Sequence, residues 1–216
     1  MPELAQTLAV WALPVLFAIT LHEVAHGWAA RALGDSTAAM MGRLSLNPLK
    51  HVDPVGTIVV PLVFVLMQSS FLFGWAKPVP VSVRNLKHPR RDMALVAVAG
   101  PASNLGMALG WGVLLKLALA QGATEGLWLG VELMAKAGIG FNLMLMALNL
   151  LPVPPLDGAK VLSGLLPPAL GAQFDRIAPY GMFILVGLMF AGLLGPLMRP
   201  LIVAGQALLV AVLGFA

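Results

Sequence analysis

Five stretches of mostly apolar residues stand out along the chain, and each is about as long as the roughly 20 residues that a helix needs to cross a bilayer. They cover residues 4–33, 93–119, 127–151, 178–194 and 197–216. A sixth apolar stretch, at residues 55–74, is interrupted by Pro61 and by a polar run at residues 68–70. The pattern predicts an all-α polytopic membrane protein with about five to six transmembrane helices.

The composition excludes a soluble globular domain. Hydrophobic residues make up 59% of the chain and charged residues 10%, whereas a soluble domain carries about 25% charged residues. The mean hydropathy is +0.91. We expect residues 1–216 to form one membrane-embedded domain. Because the chain has no cysteine, any metal must be bound by His, Asp or Glu side chains.

Basic residues in the loops indicate the side of the membrane that each loop faces. The connection at residues 31–53 holds three Lys or Arg residues, and the connection at residues 77–92 holds five. A re-entrant segment at residues 55–74 keeps both loops in the cytoplasm, whereas a full crossing would place them on opposite sides. We therefore expect a re-entrant segment, an N-terminus outside and a cytoplasmic C-terminus.

A short extended, β-like loop is expected near residues 76–84, because apolar and polar positions alternate there. The edge of such a loop could pair with an unwound peptide. Pro78 and Pro80 weaken this interpretation, since each removes a backbone donor. A loop that lies along the membrane surface is the simpler alternative.

Residues 22–26 read HEVAH and lie near the end of the first apolar stretch. In a helix, His22 and His26 share one face, so their imidazoles can bind one metal ion. Glu23 projects from the neighbouring angle, where it can hold a water molecule at the metal as a general base. Ionisable residues inside a membrane segment are costly and indicate function, which disfavours the alternative of a buried pair of structural histidines.

A catalytic zinc site normally has three protein ligands, so a third ligand is needed. Four carboxylates fall on the predicted cytoplasmic side: Asp53, Asp92, Asp157 and Asp175. Asp157 has the most favourable setting, because the prolines just before it end a helix and free it to point sideways. A re-entrant 55–74 segment also places Asp157 at the membrane depth of His22.

His51 and Asp53 form a rival metal-binding pair. Their spacing suits an extended segment, but a turn-capping role for Asp53 before Pro54 is the simpler interpretation. We therefore expect His51 at most to support a metal ligand.

Three motifs together resemble the site-2 protease family of intramembrane zinc metalloproteases. They are HEVAH, AGPASN at residues 99–104 and NLLPVPPLDG at residues 149–158. They stand in the order of the family and cover most of a catalytic core at residues 4–158. With neither a PDZ nor a CBS domain, the chain is similar to the short bacterial subgroup.

The resemblance implies a role for each matching residue. Zinc is expected on His22, His26 and Asp157, with Glu23 activating the water and Asn149 steadying the scissile carbonyl or its oxyanion. Gly100, Pro101 and Asn104 match a family motif that we interpret as structural support near the site.

The implied activity is hydrolysis of a peptide bond within or near the transmembrane segment of a membrane protein, in a bacterial plasma membrane. The family suggests single-pass substrates, such as anti-sigma factors or signal-peptide remnants. Residues 159–216 match no motif, and a gating role for them is a hypothesis.

Two other classes stay open on the sequence alone. A metal-ion transporter or channel could use the same His and Asp cluster, but it would not need Glu23, and inverted repeats would be expected. A membrane scaffold would not need an intact Glu23 either. Nucleic-acid binding is not expected, because a basic cluster near residues 84–91 is explained by anionic lipid head groups.

Overall fold

The computed structural model describes residues 2–66 and 76–215, and within these ranges every regular element is helical. The α-helices are α1 (Pro2–Ala32), α2 (Thr37–Met40), α3 (Val60–Leu66), α4 (Pro89–Ala120), α5 (Gly126–Asn149), α6 (Asp157–Leu165), α7 (Pro168–Asp175), α8 (Gly181–Phe190) and α9 (Leu194–Leu213). A π-helical turn and three 3₁₀ turns occupy Pro54–Val59, Pro48–His51, Val83–Asn85 and Ala178–Tyr180.

Four of the described helices, α1, α4, α5 and α9, are long and apolar enough to cross a membrane. The helix α4 lies at the centre and packs against α1, α5, α6 and α9. Small residues bring the helices close together: the Trp111 ring covers Gly138, and Leu143 covers Gly205. Such contacts are typical of membrane bundles, since lipid gives little hydrophobic drive for helix association. The multi-pass character predicted from the sequence is therefore confirmed.

The predicted number of five to six crossings is not reached in the described part of the chain. Residues 178–193 form a 3₁₀ turn, the ten-residue helix α8 and a short loop, and Leu194 begins α9. Ten helical residues span about 15 Å, half the roughly 30 Å of hydrocarbon. Instead of crossing, α8 packs inward, with Gly181 against the Pro154 carbonyl and Leu185 beside Leu151.

The segment predicted to be re-entrant is only partly described. It begins with the π-helical turn Pro54–Val59 and continues into α3, while residues 67–75 lie outside the described residues. The prediction that this segment turns back to the side from which it enters the membrane therefore stays a prediction. The turn-capping role of Asp53 is confirmed, because Asp53 Oδ1 accepts hydrogen bonds from the N–H groups of Val55 and Gly56.

The loop at residues 76–84 has no regular secondary structure over residues 76–82, and it forms no strand with any described residue. Pro78 and Pro80 have no N–H to give to a ladder. The remaining donors are used elsewhere: Lys77 N–H donates to the His51 carbonyl at 2.9 Å, and Val79 N–H donates to Glu23 at 2.8 Å. The predicted β-like loop is therefore not confirmed: residues 76–82 form an irregular segment that bonds to a neighbouring loop and to α1.

The last long helix, α9, runs parallel to α4. Near its start, Leu194 packs with Leu151, which follows the end of α5. Near its end, Leu213 faces Gly112, and its carbonyl accepts a hydrogen bond from Lys116. Because Gly112 and Lys116 belong to the last third of α4, α4 and α9 point in the same direction.

The helix α1 runs antiparallel to α4, since His26 bonds to Val96 and Ala18 to Asn104. The start of α1 and the end of α9 consequently lie at the same end of the bundle. The prediction that the two termini face opposite sides is wrong, because residues 178–194 do not supply the fifth crossing that it required.

A buried carboxylate joins the loop after α1 to the loop before α4. Asp35 is fully buried and accepts hydrogen bonds from the N–H and hydroxyl of Thr37, the Ser82 N–H and the Asn85 amide. Burial acts to raise the pKa of Asp35, but these four hydrogen bonds outweigh it and lower the pKa from 3.8 to about 2. The ionised Asp35 thus fixes the loop entering α4 against the end of α1.

The arrangement of the termini predicts a labelling pattern. In membrane vesicles, single cysteines placed at Thr124 and Phe215 are expected to react with an impermeant maleimide from the same side, and a cysteine at Arg84 from the other side. The natural absence of cysteine makes each label unique. Reaction of the Thr124 and Phe215 positions from opposite sides would show that residues 178–194 cross the membrane after all.

The Asp35 network predicts a pH-dependent stability. Asp35→Ala should lower the free energy of unfolding by about 1–3 kcal/mol at neutral pH, because it leaves buried donors unpaired. Since the folded pKa lies below the unfolded value of 3.8, the stabilisation is complete above about pH 4 and is lost as the pH falls through about 2. Thermal unfolding in detergent at several pH values measures the difference, with the exposed Asp175→Ala as a control that should change little.

Candidate metal centre

Three buried side chains converge where the C-terminal part of α1 meets the start of α6. The Nε2 atoms of His22 and His26 lie 3.1 Å apart, and they lie 3.2 and 3.1 Å from Oδ2 of Asp157. The structure therefore brings together the three residues that the sequence predicted as metal ligands, and they form a group able to hold a metal ion.

The break between α5 and α6 delivers Asp157 to the two histidines. The helix α5 ends at Asn149, and a proline-rich turn leads directly into α6, whose first residue is Asp157. The next residue, Gly158, packs so tightly on the carbonyls of Leu150 and Leu151 that a Cβ atom has no room. At the other end of α6, Arg90 donates hydrogen bonds to the carbonyls of Ser163 and Leu166.

Hydrogen bonds at the far side of each imidazole decide which nitrogen faces the centre. His26 Nδ1 lies 2.7 Å from the Val96 carbonyl, and His22 Nδ1 lies 2.7 Å from Asn104 Oδ1. Both oxygens can only accept, so each neutral ring carries its proton on Nδ1. Both Nε2 atoms then turn lone pairs toward Asp157. Metal-bound histidines commonly have this arrangement.

The site fits zinc by its chemistry and by its size. Two imidazole lone pairs and a carboxylate oxygen at about 3 Å repel one another unless a cation lies between them. Tetrahedral zinc bonds of about 2.0–2.1 Å to nitrogen and oxygen place neighbouring ligand atoms about 3.3 Å apart, close to the separations of 3.1–3.2 Å found here.

Gly100 is required beside the two imidazole rings. A Cβ atom at this position would lie 2.5 Å from Cε1 of His26 and 2.6 Å from Cε1 of His22. The neighbouring Pro101 is fully buried and has no N–H for the carbonyl of Ala97. Gly100 therefore leaves room for both rings, while the supporting role of Pro101 stays a prediction.

Glu23 lies beside the three ligands on the wall of a cavity of about 310 Å³. Its Oε2 atom accepts a hydrogen bond from the Val79 N–H at 2.8 Å. The cavity is also lined by the ligands themselves and by residues from the 76–82 loop, α4, α5, the α5–α6 turn and α6: Pro78, Val79, Val81, Met93, Val96, Ala97, Asn149, Pro155 and Lys160. A carboxylate next to a metal centre and open to a cavity has the position that a general base needs.

The other predicted residues have different outcomes. Asn149 lines the cavity and uses one amide hydrogen on the Leu145 carbonyl at 3.0 Å. Asn104 is fully buried against His22. His51 lies away from the cavity lining, where its Nε2 donates to the Ser45 carbonyl at 2.8 Å. One member of the basic cluster at residues 84–91 also has a structural role, because Arg90 donates hydrogen bonds to carbonyls at the end of α6.

Two residues of the site were missed by sequence reasoning. Lys160 lies 3.1 Å from Oδ1 of Asp157, the carboxylate oxygen that faces away from the histidines. The i, i+3 spacing of this pair on a helix was a usable signal. Asn142 bonds to Asn104 at 3.0 Å, and a single Asn in an apolar helix offered no comparable pattern.

The fold and the site define a multi-pass membrane protein with a zinc centre made of two histidines and an aspartate. Comparison with known proteins agrees with this class. A Bacillus subtilis protein named "Putative zinc metalloprotease YwhC" is 38% identical over 208 residues, which are 95% of this chain and 88% of that protein.

Two further relatives are named "Putative zinc metalloprotease Rip2". The one from Mycolicibacterium smegmatis is 31% identical, and the one from Mycobacterium tuberculosis is 32% identical, each over 81% of this chain. This chain spans 64% and 62% of their lengths. No family model and no solved structure matches the chain. The chain belongs to the site-2 protease family of zinc metalloproteases.

The packing at Gly100 predicts a metal-binding defect. Gly100→Ala should displace both imidazole rings and reduce bound zinc well below one ion per chain, measured by elemental analysis of detergent-purified protein. Gly106→Ala is the matched control on the same helix, because a Cβ there meets no atom within 4 Å. Equal zinc content in the two variants would contradict the steric role of Gly100.

Proposed function

We propose that this protein is an intramembrane protease that uses zinc to hydrolyse a peptide bond within or near the transmembrane segment of a membrane-protein substrate. The observation that carries the proposal is the group formed by His22, His26 and Asp157 beside Glu23, at one end of a bundle of apolar helices. Glu23 favours hydrolysis over ion transport, because transport needs ligands but no base.

The reaction requires a Lewis acid, a base and a site for water. Bound to the three ligands, zinc would polarise the scissile carbonyl and lower the pKa of a water molecule to about 7. Glu23 removes the proton from the attacking water and passes it to the amide nitrogen as the C–N bond breaks. Because the Val79 N–H donates to Oε2 of Glu23, Oε1 is the carboxylate oxygen that accepts this proton.

Asn149 is placed to assist the carbonyl oxygen. It lies at the end of α5 on the cavity wall, and its second amide hydrogen is directed by the bond that the first makes to Leu145. A donor held in this way stabilises negative charge as it develops on the substrate oxygen, without reorganisation during the reaction.

The loops at the site end of the bundle carry the basic residues, which favours a cytoplasmic location for this end. Both the start of α1 and the end of α9 then face the outside. We infer that substrates are single-pass membrane proteins of the bacterial plasma membrane, with anti-sigma factors and signal-peptide remnants as the first candidates. Their helices must unwind locally, because a helix hides its carbonyl groups.

The proposal predicts that binding and cleavage can be separated at Glu23. Glu23→Gln should keep about one zinc ion per chain and lose cleavage by about 10²- to 10⁴-fold, because general-base assistance is lost. The assay uses protein reconstituted in lipid vesicles with labelled single-pass membrane segments, and product is detected by mass spectrometry. Asp157→Ala is the companion variant and should lose both zinc and cleavage.

Two results would overturn the proposal. One is cleavage by Glu23→Gln at the wild-type rate. The other is a zinc-loaded wild type that cleaves none of a broad panel of membrane segments in vesicles.

A further inference from the structure

Two fully buried amides connect His22 to the backbone of α5. Asn104 on α4 lies 2.7 Å from His22 Nδ1 through its Oδ1 atom. Its amide nitrogen donates to Oδ1 of Asn142 at 3.0 Å and to the Ala18 carbonyl at 3.2 Å. Asn142 in turn donates to the Gly138 carbonyl at 2.8 Å.

The chain of hydrogen bonds has a fixed direction. The Gly138 carbonyl can only accept, so the Asn142 amide must turn its nitrogen to Gly138 and its oxygen to Asn104. Asn104 must then present its nitrogen to Asn142 and its oxygen to His22. The last acceptor requires a proton on His22 Nδ1, which leaves the Nε2 lone pair for the metal.

The two histidines differ in this dependence. His26 gives its Nδ1 proton directly to the backbone carbonyl of Val96, so no side chain is needed to orient its ring. The orientation of His22 instead depends on the side-chain amide of Asn104, whose nitrogen is held by two acceptors, Asn142 Oδ1 and the Ala18 carbonyl. A buried polar side chain is costly unless it is paired, and a helix interior disfavours Asn, so Asn142 is not explained by packing alone.

We propose that Asn142 is a positioning residue of the zinc centre. It acts through Asn104 to hold the His22 ring in the tautomer and orientation that bind the metal. The inference rests on the zinc site of the proposed function, and it adds to the site a residue from the middle of α5, a helix that contributes no metal ligand itself.

Zinc affinity tests this role directly. Asn142→Leu keeps the side-chain size and removes the acceptor for Asn104. We expect its zinc dissociation constant to rise about 10- to 100-fold, as is common when a group that orients a metal ligand is lost, measured by chelator competition on purified protein. Visible absorption of the cobalt-substituted variant should also differ from that of wild type.

A double-variant cycle separates positioning from general packing. If Asn142 acts through Asn104, Asn142→Leu should have little further effect on zinc affinity when Asn104→Ala is already present. Effects that multiply in the double variant would overturn the proposal, and so would wild-type zinc affinity with an unchanged cobalt spectrum in Asn142→Leu.

A neighbouring core residue supplies the matched control. Leu143→Ala removes a buried apolar side chain from the same helix and should lower the melting temperature of the metal-free protein without changing zinc affinity. If Asn142→Leu does not fold, Asn142→Ser replaces it, because a hydroxyl can bond Gly138 but is too short to reach Asn104. No readout here depends on proteolysis, so absent proteolysis would count against the proposed function alone.

Discussion

The structure depends on the convergence of three lone pairs at one buried point between the helices. Two imidazole nitrogens and a carboxylate oxygen face one another at about 3 Å, and all three side chains are buried. Such a cluster is repulsive by itself and becomes favourable around a cation. The surrounding helices are arranged to keep the cluster assembled: α4 offers the Val96 carbonyl and the bare backbone of Gly100, and α6 delivers Asp157 on its first residue.

Polar contacts between apolar helices also give this bundle its specificity. Lipid tails are as apolar as leucine, so burial of leucine alone does not select one helix packing over another. The described part of the bundle combines small residues at close contacts with buried amides that must be paired. Asn104 contacts α1 and α5 at once, so one side chain fixes the relative position of three helices at the depth of the metal centre.

The sequence predicts best those features that are determined by residues close together along the chain. His22, Glu23 and His26 lie on one helix, so local geometry was sufficient. Asp157 was identified because prolines mark a helix break. The crossing predicted at residues 178–194 does not form, because hydropathy reports apolarity and not the 3₁₀ turn that contains Pro179 or the positive φ of Gly192 after α8. Asn142 and the Val79 bond to Glu23 depend on contacts between distant segments, which composition and periodicity do not encode.

The separation of the ligands along the chain has a consequence for folding. His26 and Asp157 are about 130 residues apart, and one ion between them closes that stretch into a loop. A cross-link that closes a long loop removes much of the conformational entropy of the unfolded chain. A bound ion would join α1 to the segment that follows α5, so its removal should lower the free energy of unfolding of the whole bundle.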